Sequence, residues 1–222
     1  MPRCESRSQC VNRGRLQGEL AHWCPRPTRF HFVVTTFRPA ERSDFAAIKR
    51  TYQRSFWSDP VTRWLFPDDE EFVCTPMMDD FFHRLLAYEH SLVTHDVVAF
   101  SLWIPPGRPD VELESTVTEV PSDELLTKFI ALGEIIDANT PTEEHWYLQM
   151  IGTHPDWQGR GIGSTLIREG LSWARRDGLG VYLETETVEN VAYYRHLGFD
   201  VRSEWDVPVG GPHMWGMWVP PS

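Results

Sequence analysis

The stretch Met150-Ile-Gly-Thr-His-Pro-Asp-Trp-Gln-Gly-Arg-Gly-Ile-Gly-Ser164 decides how this chain is read. Apolar residues mark a strand over 145–153, His154-Pro155 turns the chain, and Gln158-Gly-Arg-Gly-Ile-Gly163 opens an amphipathic helix over 161–177. A glycine-rich turn between strand and helix is a cradle for an anion. Glycine lets the backbone approach the anion closely and aim several N–H groups at it, while the positive end of the helix dipole adds attraction. Arg160 supplies a full charge at the rim. Two familiar cradles do not fit: a dinucleotide fingerprint requires Gly-x-Gly-x-x-Gly with an acidic residue about 20 positions on, and a P-loop requires Gly-Lys-Ser/Thr. A phosphate-bearing ligand is expected here, and a purely structural turn is the plainer reading of the same residues.

Outward from the cradle, strand and helix patterns alternate. A strand over 180–185, a helix over 189–197, a strand over 199–207 and a last strand ending near Trp218 follow it. Upstream, His31-Phe-Val-Val-Thr-Thr-Phe37 reads as a strand, and a helix follows in which Phe45, Ile48, Tyr52 and Phe56 recur at helical spacing. Pro60 opens a short helix ending near Leu65, and a third helix over about 76–90 places Met78, Phe81, Phe82, Leu85 and Leu86 on one face. Strands over 91–95 and 97–104 flank a tight turn at His95-Asp96, and a helix over about 122–138 buries Leu125, Leu126, Phe129 and Leu132. The chain contains no internal repeat or linker, so residues 31–222 are expected to form one α/β domain. Residues 1–30 show neither period and read as a flexible, disordered leader. Their six arginines also suit a mitochondrial presequence, but Glu5 and Glu19 fit that poorly.

The 222 residues carry a net charge of −11, and those after residue 30 hold 15 basic against 30 acidic side chains. Such a field disfavours nucleic acid and attracts cations such as protonated amines. No apolar run is long enough to span a membrane, and no secretory signal is present, so a soluble cytoplasmic protein is expected. Cys4, Cys10, Cys24 and Cys74 form no Cys-x-x-Cys pair, which points to reduced thiols rather than a zinc site.

The phrase Gln-x-x-Gly-x-Gly after a strand ending in Thr-x-Pro resembles the acetyl-CoA-binding motif of the GNAT acetyltransferase superfamily. Tyr182-Leu-Glu-Thr-Glu-Thr-Val-Glu-Asn190 followed by Tyr193-Tyr194-Arg-His-Leu-Gly-Phe199 resembles the second motif of that family, in the same order and spacing. Within it, the run from Trp146 to Phe199 is most similar to members that acetylate puromycin. The resemblance implies a central mixed, mostly antiparallel twisted sheet of about seven strands, flanked by helices and splayed between the strands at 145–153 and 180–185. It implies acetyl-CoA as co-substrate and no metal. It also implies that Gln158, Gly159, Arg160, Gly161, Gly163 and Ser164 hold the pyrophosphate, that Ile151, Gly152 and Thr153 pair with the pantetheine arm, and that Asn190 faces the coenzyme.

The family's usual general acid falls on Tyr194, whose phenol can protonate the departing thiolate; Tyr193 is read as packing. The base is harder to place, because an alkylammonium must lose a proton before its nitrogen attacks. Where some members carry Glu on the strand before the cradle, this chain has Tyr147 and Gln149, so Glu184 is the preferred substitute, directly or through water. Glu144 and His145 are weaker candidates. Trp57 and Trp103 are expected to bind an aromatic or cationic amine. Asp68-Asp-Glu-Glu71 and Asp79-Asp80 read as solvated charge. The expected reaction moves acetyl to a primary amine of a small molecule, in a monomer or homodimer. Peptide N-terminal acetylation and a non-catalytic CoA-binding regulatory domain are the other readings.

Overall fold

The computed structural model describes residues 36–111 and 121–222. The leader 1–30 and the start of the strand expected at 31–37 lie outside the described residues. From Phe37 on, seven strands form one sheet: β1 (Phe37–Pro39), β2 (Leu92–Thr94), β3 (Ala99–Ile104), β4 (His145–Thr153), β5 (Gly180–Thr185), β6 (Asp200–Asp206) and β7 (His213–Val219). Their order is β1-β2-β3-β4-β5-β7-β6. Every neighbouring pair is antiparallel except β4 and β5, which run parallel. That parallel pairing covers only His145–Tyr147 against Gly180–Tyr182, so β4 continues to Thr153 while β5 diverges. This is the mixed, splayed sheet expected from the sequence. Pro39 cannot donate to a ladder, and it sits on the edge strand where no second partner needs its N–H.

Among the described residues seven α-helices flank the sheet: α1 (Phe45–Ser55), α2 (Pro60–Leu65), α3 (Asp69–Cys74), α4 (Pro76–Ala87), α5 (Asp123–Asn139), α6 (Ile162–Asp177) and α7 (Val188–Arg195). α6 shows how sequence makes these elements. Leu166, Ile167, Gly170 and Ala174 fall on its buried stripe, Arg175 and Arg176 stand at the negative end of its dipole, and Gly178 caps it in the left-handed conformation. α3 is a correction to the sequence reading. The acidic run is largely exposed, as expected of solvated charge, but it also forms a helix that the sequence reading did not contain, and Asp68 caps it by accepting from the N–H groups of Glu70 and Glu71. Among the described residues no helix is long and apolar enough to cross a membrane.

Two cores lie on opposite faces of the sheet, and strand parity decides which residue enters which. Phe100 and Leu102 of β3 pack against α1 and α4 with Ile48, Tyr52, Phe82 and Leu85. Trp103, one position on, points to the other face and joins Ile167, Leu183, Val191 and Tyr194. It is fully buried, its Nε1 donates to Ser101 Oγ at 3.0 Å, and its ring lies over Gly170 of α6. A Cβ on Gly170 would stand 2.1 Å from that ring, so helix and strand approach this closely only because residue 170 has no side chain. Gly170→Ala should therefore destabilise the fold by about 2 kcal/mol through overpacking, despite alanine's better helix propensity. Equilibrium urea unfolding measures this.

Candidate active site

The splay between β4 and β5 opens a cleft of about 520 Å3 on the cradle side. Gly159 and Gly161 turn the chain with φ of +71° and +78°, a region that side-chain-bearing residues rarely adopt. Gly161 is the N-cap of α6 and offers no side chain to the first turn, so the N–H groups of Ile162, Gly163 and Ser164 have no acceptor within the helix. They face the cleft with the positive end of a helix of 16 residues behind them. Ile151, Gly152, Thr153, Gln158, Gly159, Gly161, Gly163, Ser164 and Asn190 all line this cleft. Arg160 does not: its guanidinium donates to the Asp156 carbonyl at 2.9 Å and lies 4.6 Å over the Trp157 ring, at the rim. Gln158 spends its side-chain amide on the Thr153 carbonyl, tying the cradle to the end of β4.

A second cavity, of about 470 Å3, lies on the other side of the splay. Its walls are largely apolar: Tyr52 from α1 and Phe56 just past its end, Met77, Met78 and Phe81 from α4, Phe129, Leu132 and Ile136 from α5, and Met150 from β4. The two cavities share Phe56, Asp59, Ile151, Glu186, Asn190 and Tyr194. Tyr194, on α7, is thus where both meet. Burial and the nearby Glu186 carboxyl push its phenol well up, so it keeps its proton at neutral pH and is available as an acid.

Glu184 lines the apolar cavity from β5. Tyr147 donates to its Oε2 at 2.5 Å, whereas Oε1 is buried with no hydrogen-bond partner. Burial pushes its carboxyl up to about 7, against the opposing pull of the Tyr147 and Tyr182 hydroxyls and the Arg108 charge. A carboxyl that changes charge near neutral pH suits a general base. His145 is placed otherwise: its Nδ1 meets the Glu143 carbonyl at 2.6 Å, its ring packs among Tyr147, Tyr182 and Trp218, and burial holds its pKa down.

Trp103 and Trp57 are both corrected as acceptor residues. Trp103 lies in the core on the far face of β3, because its parity is opposite to that of Ile104, which does line the cavity. Trp57 is 46% exposed, edges Phe72 and lies under Arg63, and lines neither cavity; its neighbour Phe56 lines both. Three residues were not singled out from sequence. Tyr193, read as packing, bonds Ser164 Oγ at 3.0 Å through its hydroxyl and lines the cradle cleft. Asp59 and Glu186 both line the place where the cavities meet, and Asp59 raises the Glu186 carboxyl together with its burial. The acidic pattern Glu184-Thr-Glu186 at a strand end was a visible signal for Glu186; Asp59 before Pro60 carries only the pattern of a helix cap.

Residues 50–199 match the Acetyltransferase (GNAT) family. The match covers more than half of the chain, and the chain belongs to that family of acyltransferases, which use acetyl-CoA. It is similar to an uncharacterised N-acetyltransferase of Schizosaccharomyces pombe, 25% identical over 181 residues and covering 72% of each chain. A shorter likeness, 47% identical over 62 residues, joins 27% of this chain to 37% of the N-alpha-acetyltransferase RimI of Mycobacterium tuberculosis. Among solved structures, arylalkylamine N-acetyltransferase 2 of Aedes aegypti has the same fold with a TM-score of 0.63. That alignment is 14% identical and covers 83% of this chain and 98% of the other.

Burial of Glu184 sets a pH-dependent stability. Because its folded pKa lies above the ordinary carboxyl value, the folded state holds the proton more tightly than the unfolded one. Its contribution is favourable below the unfolded value and is lost as pH rises through about 7. Glu184→Gln, which mimics the protonated carboxyl, should match wild type at pH 5 and exceed it by roughly 2 kcal/mol at pH 8.5. Denaturant unfolding at the two pH values checks the sign.

Proposed function

We propose that this protein transfers the acetyl group of acetyl-CoA to a primary amine of a small molecule with an apolar body. The observation that carries the reading is the meeting of a phosphate-cradle cleft and a largely apolar cavity at Tyr194. The cradle N–H groups suit a pyrophosphate, and the splayed stretch Ile151–Thr153 offers main-chain groups to an extended pantetheine. Glu184 takes the proton of the amine, directly or across a water. The nitrogen attacks the thioester carbonyl, an N–H near Gly152 supports the oxyanion, and the C–S bond breaks as Tyr194 gives its proton to the thiolate. Excess acidic charge favours approach of a cationic acceptor.

Peptide N-terminal acetylation, the activity in the name of RimI, is a second reading. The covering of the acceptor cavity by α1, α2, α4 and α5 supports a compact acceptor over an extended peptide. A thiol-release assay over polyamines, aminonucleosides, aminoglycosides, arylalkylamines and short peptides distinguishes them. Turnover of a small amine is expected. Turnover of peptides alone would replace the substrate class, and CoA binding without any turnover would mark a regulatory domain. With the best acceptor, Tyr194→Phe should lower kcat about 100-fold while CoA still binds; a variant with full kcat removes Tyr194 as the acid.

A further inference from the structure

Glycine inside a helix needs a reason, because it forms helix worse than any residue but proline. Among the described residues every other glycine has a local one: a positive φ, as at Gly159 and Gly161, or a neighbour where a Cβ would stand, as at Gly152 and Gly170. Gly133 has neither. It lies in the interior of α5 with ordinary helical backbone, and nothing comes within 4 Å of a Cβ built on it. Its surroundings supply a different reason. Phe129, Leu132, Gly133, Ile136 and Asp137 follow the spacing of one helical face, and all five line the apolar cavity. Gly133 sits at the centre of that face, so α5 meets the cavity with a notch where its neighbours carry side chains. Leu125 is the one buried residue among the 17 of this helix, so its apolar face is not spent on the core.

We propose that Gly133 sets the width of the acceptor: its missing side chain admits a primary amine whose apolar body is as broad as a fused aromatic ring, and a larger residue there would restrict the protein to slim, linear amines. This rests on the acetyl-transfer reading above and deepens it, naming the substrate class as bulky hydrophobic amines. With the nitrogen at the junction by Tyr194, the rest of the acceptor occupies the cavity that α5 walls. That cavity, of about 470 Å3, falls in the range of pockets that enclose drug-sized ligands, roughly 300–1,000 Å3. Four of the chain's six methionines, Met77, Met78, Met150 and Met214, line it as well. Their unbranched thioether side chains re-pack around ligands of different shape, so these walls adapt to a wide body. Helix stability given up at a position that packs against nothing, on a wall facing such a cavity, is room kept for a ligand.

Calorimetric titration of the CoA-saturated protein with 2-(1-naphthyl)ethylamine and with hexylamine reads the width directly, and CoA in place of acetyl-CoA prevents turnover. Wild type should bind both amines. Gly133→Phe should weaken the naphthyl amine at least about tenfold and hexylamine less than about threefold. Gly133→Ala should weaken the naphthyl amine about threefold and raise the melting temperature by roughly 2 °C, because alanine improves the helix and meets no neighbour. Should Gly133→Phe fail to fold, the alanine variant decides alone. Equal weakening of both amines, folded variants that bind the naphthyl amine as wild type does, or a wild type that binds hexylamine alone or neither amine would overturn the assignment of Gly133. An absence of heat in the preceding titration with CoA would instead overturn the coenzyme reading, and the same two amines titrated into the free protein would then decide on Gly133. The expected binding pattern without thiol release from acetyl-CoA would overturn the transfer reading and leave the role of Gly133 standing.

Discussion

The parallel pairing of β4 with β5 lasts three registers and then fails, and the rest of the site depends on that failure. Beyond Tyr147 the two strands separate, and a cleft opens through the sheet rather than beside it. The cradle at the end of β4 lies on one side of the cleft, and the apolar cavity under α1, α4 and α5 lies on the other. The gap is held open by packing. Trp103 presses against α6 across Gly170, while Leu183, Val191 and Tyr194 anchor β5 and α7 to the same cluster. A sheet hydrogen-bonded along the full length of β4 would leave no passage between donor and acceptor.

Burial at this gap also sets the chemistry. Excess negative charge makes the chain attractive to cations as a whole, but Glu184 and Glu186 are half-buried at this gap, and desolvation pushes both carboxyls up. Tyr194 stays a phenol for the same reason. One physical cause, desolvation, therefore leaves a carboxylate that readily accepts a proton near neutral pH and a phenol that keeps its proton in the resting state. Stability is the counterpart: a buried carboxylate weakens the fold above neutral pH, where amine acetylation is favoured.

What the sequence made legible was local. The strand, glycine cradle and α6 were visible because turn chemistry, helix periodicity and capping all act within a few residues. The splay followed from the family resemblance. The acceptor side was not legible, since it depends on which face of a strand each residue enters. Trp103 was expected at the acceptor, with ordinary core as the other reading, and one step of strand parity places it in the core. Trp57 and Phe56 are neighbours in sequence with opposite fates. α3 escaped notice because six residues are too few to show a period. Asp59 and Glu186 line the same junction of the cavities from 127 positions apart, and no local pattern encodes that.

The central claim is that the cradle and the splayed end of β4 hold the coenzyme. Hydrogen exchange of backbone amides, followed by mass spectrometry with and without CoA, tests this directly. CoA should slow exchange over 151–153 and 158–164 while leaving the β6–β7 ladder unchanged. Protection confined to other segments, or none at saturating CoA, would contradict it.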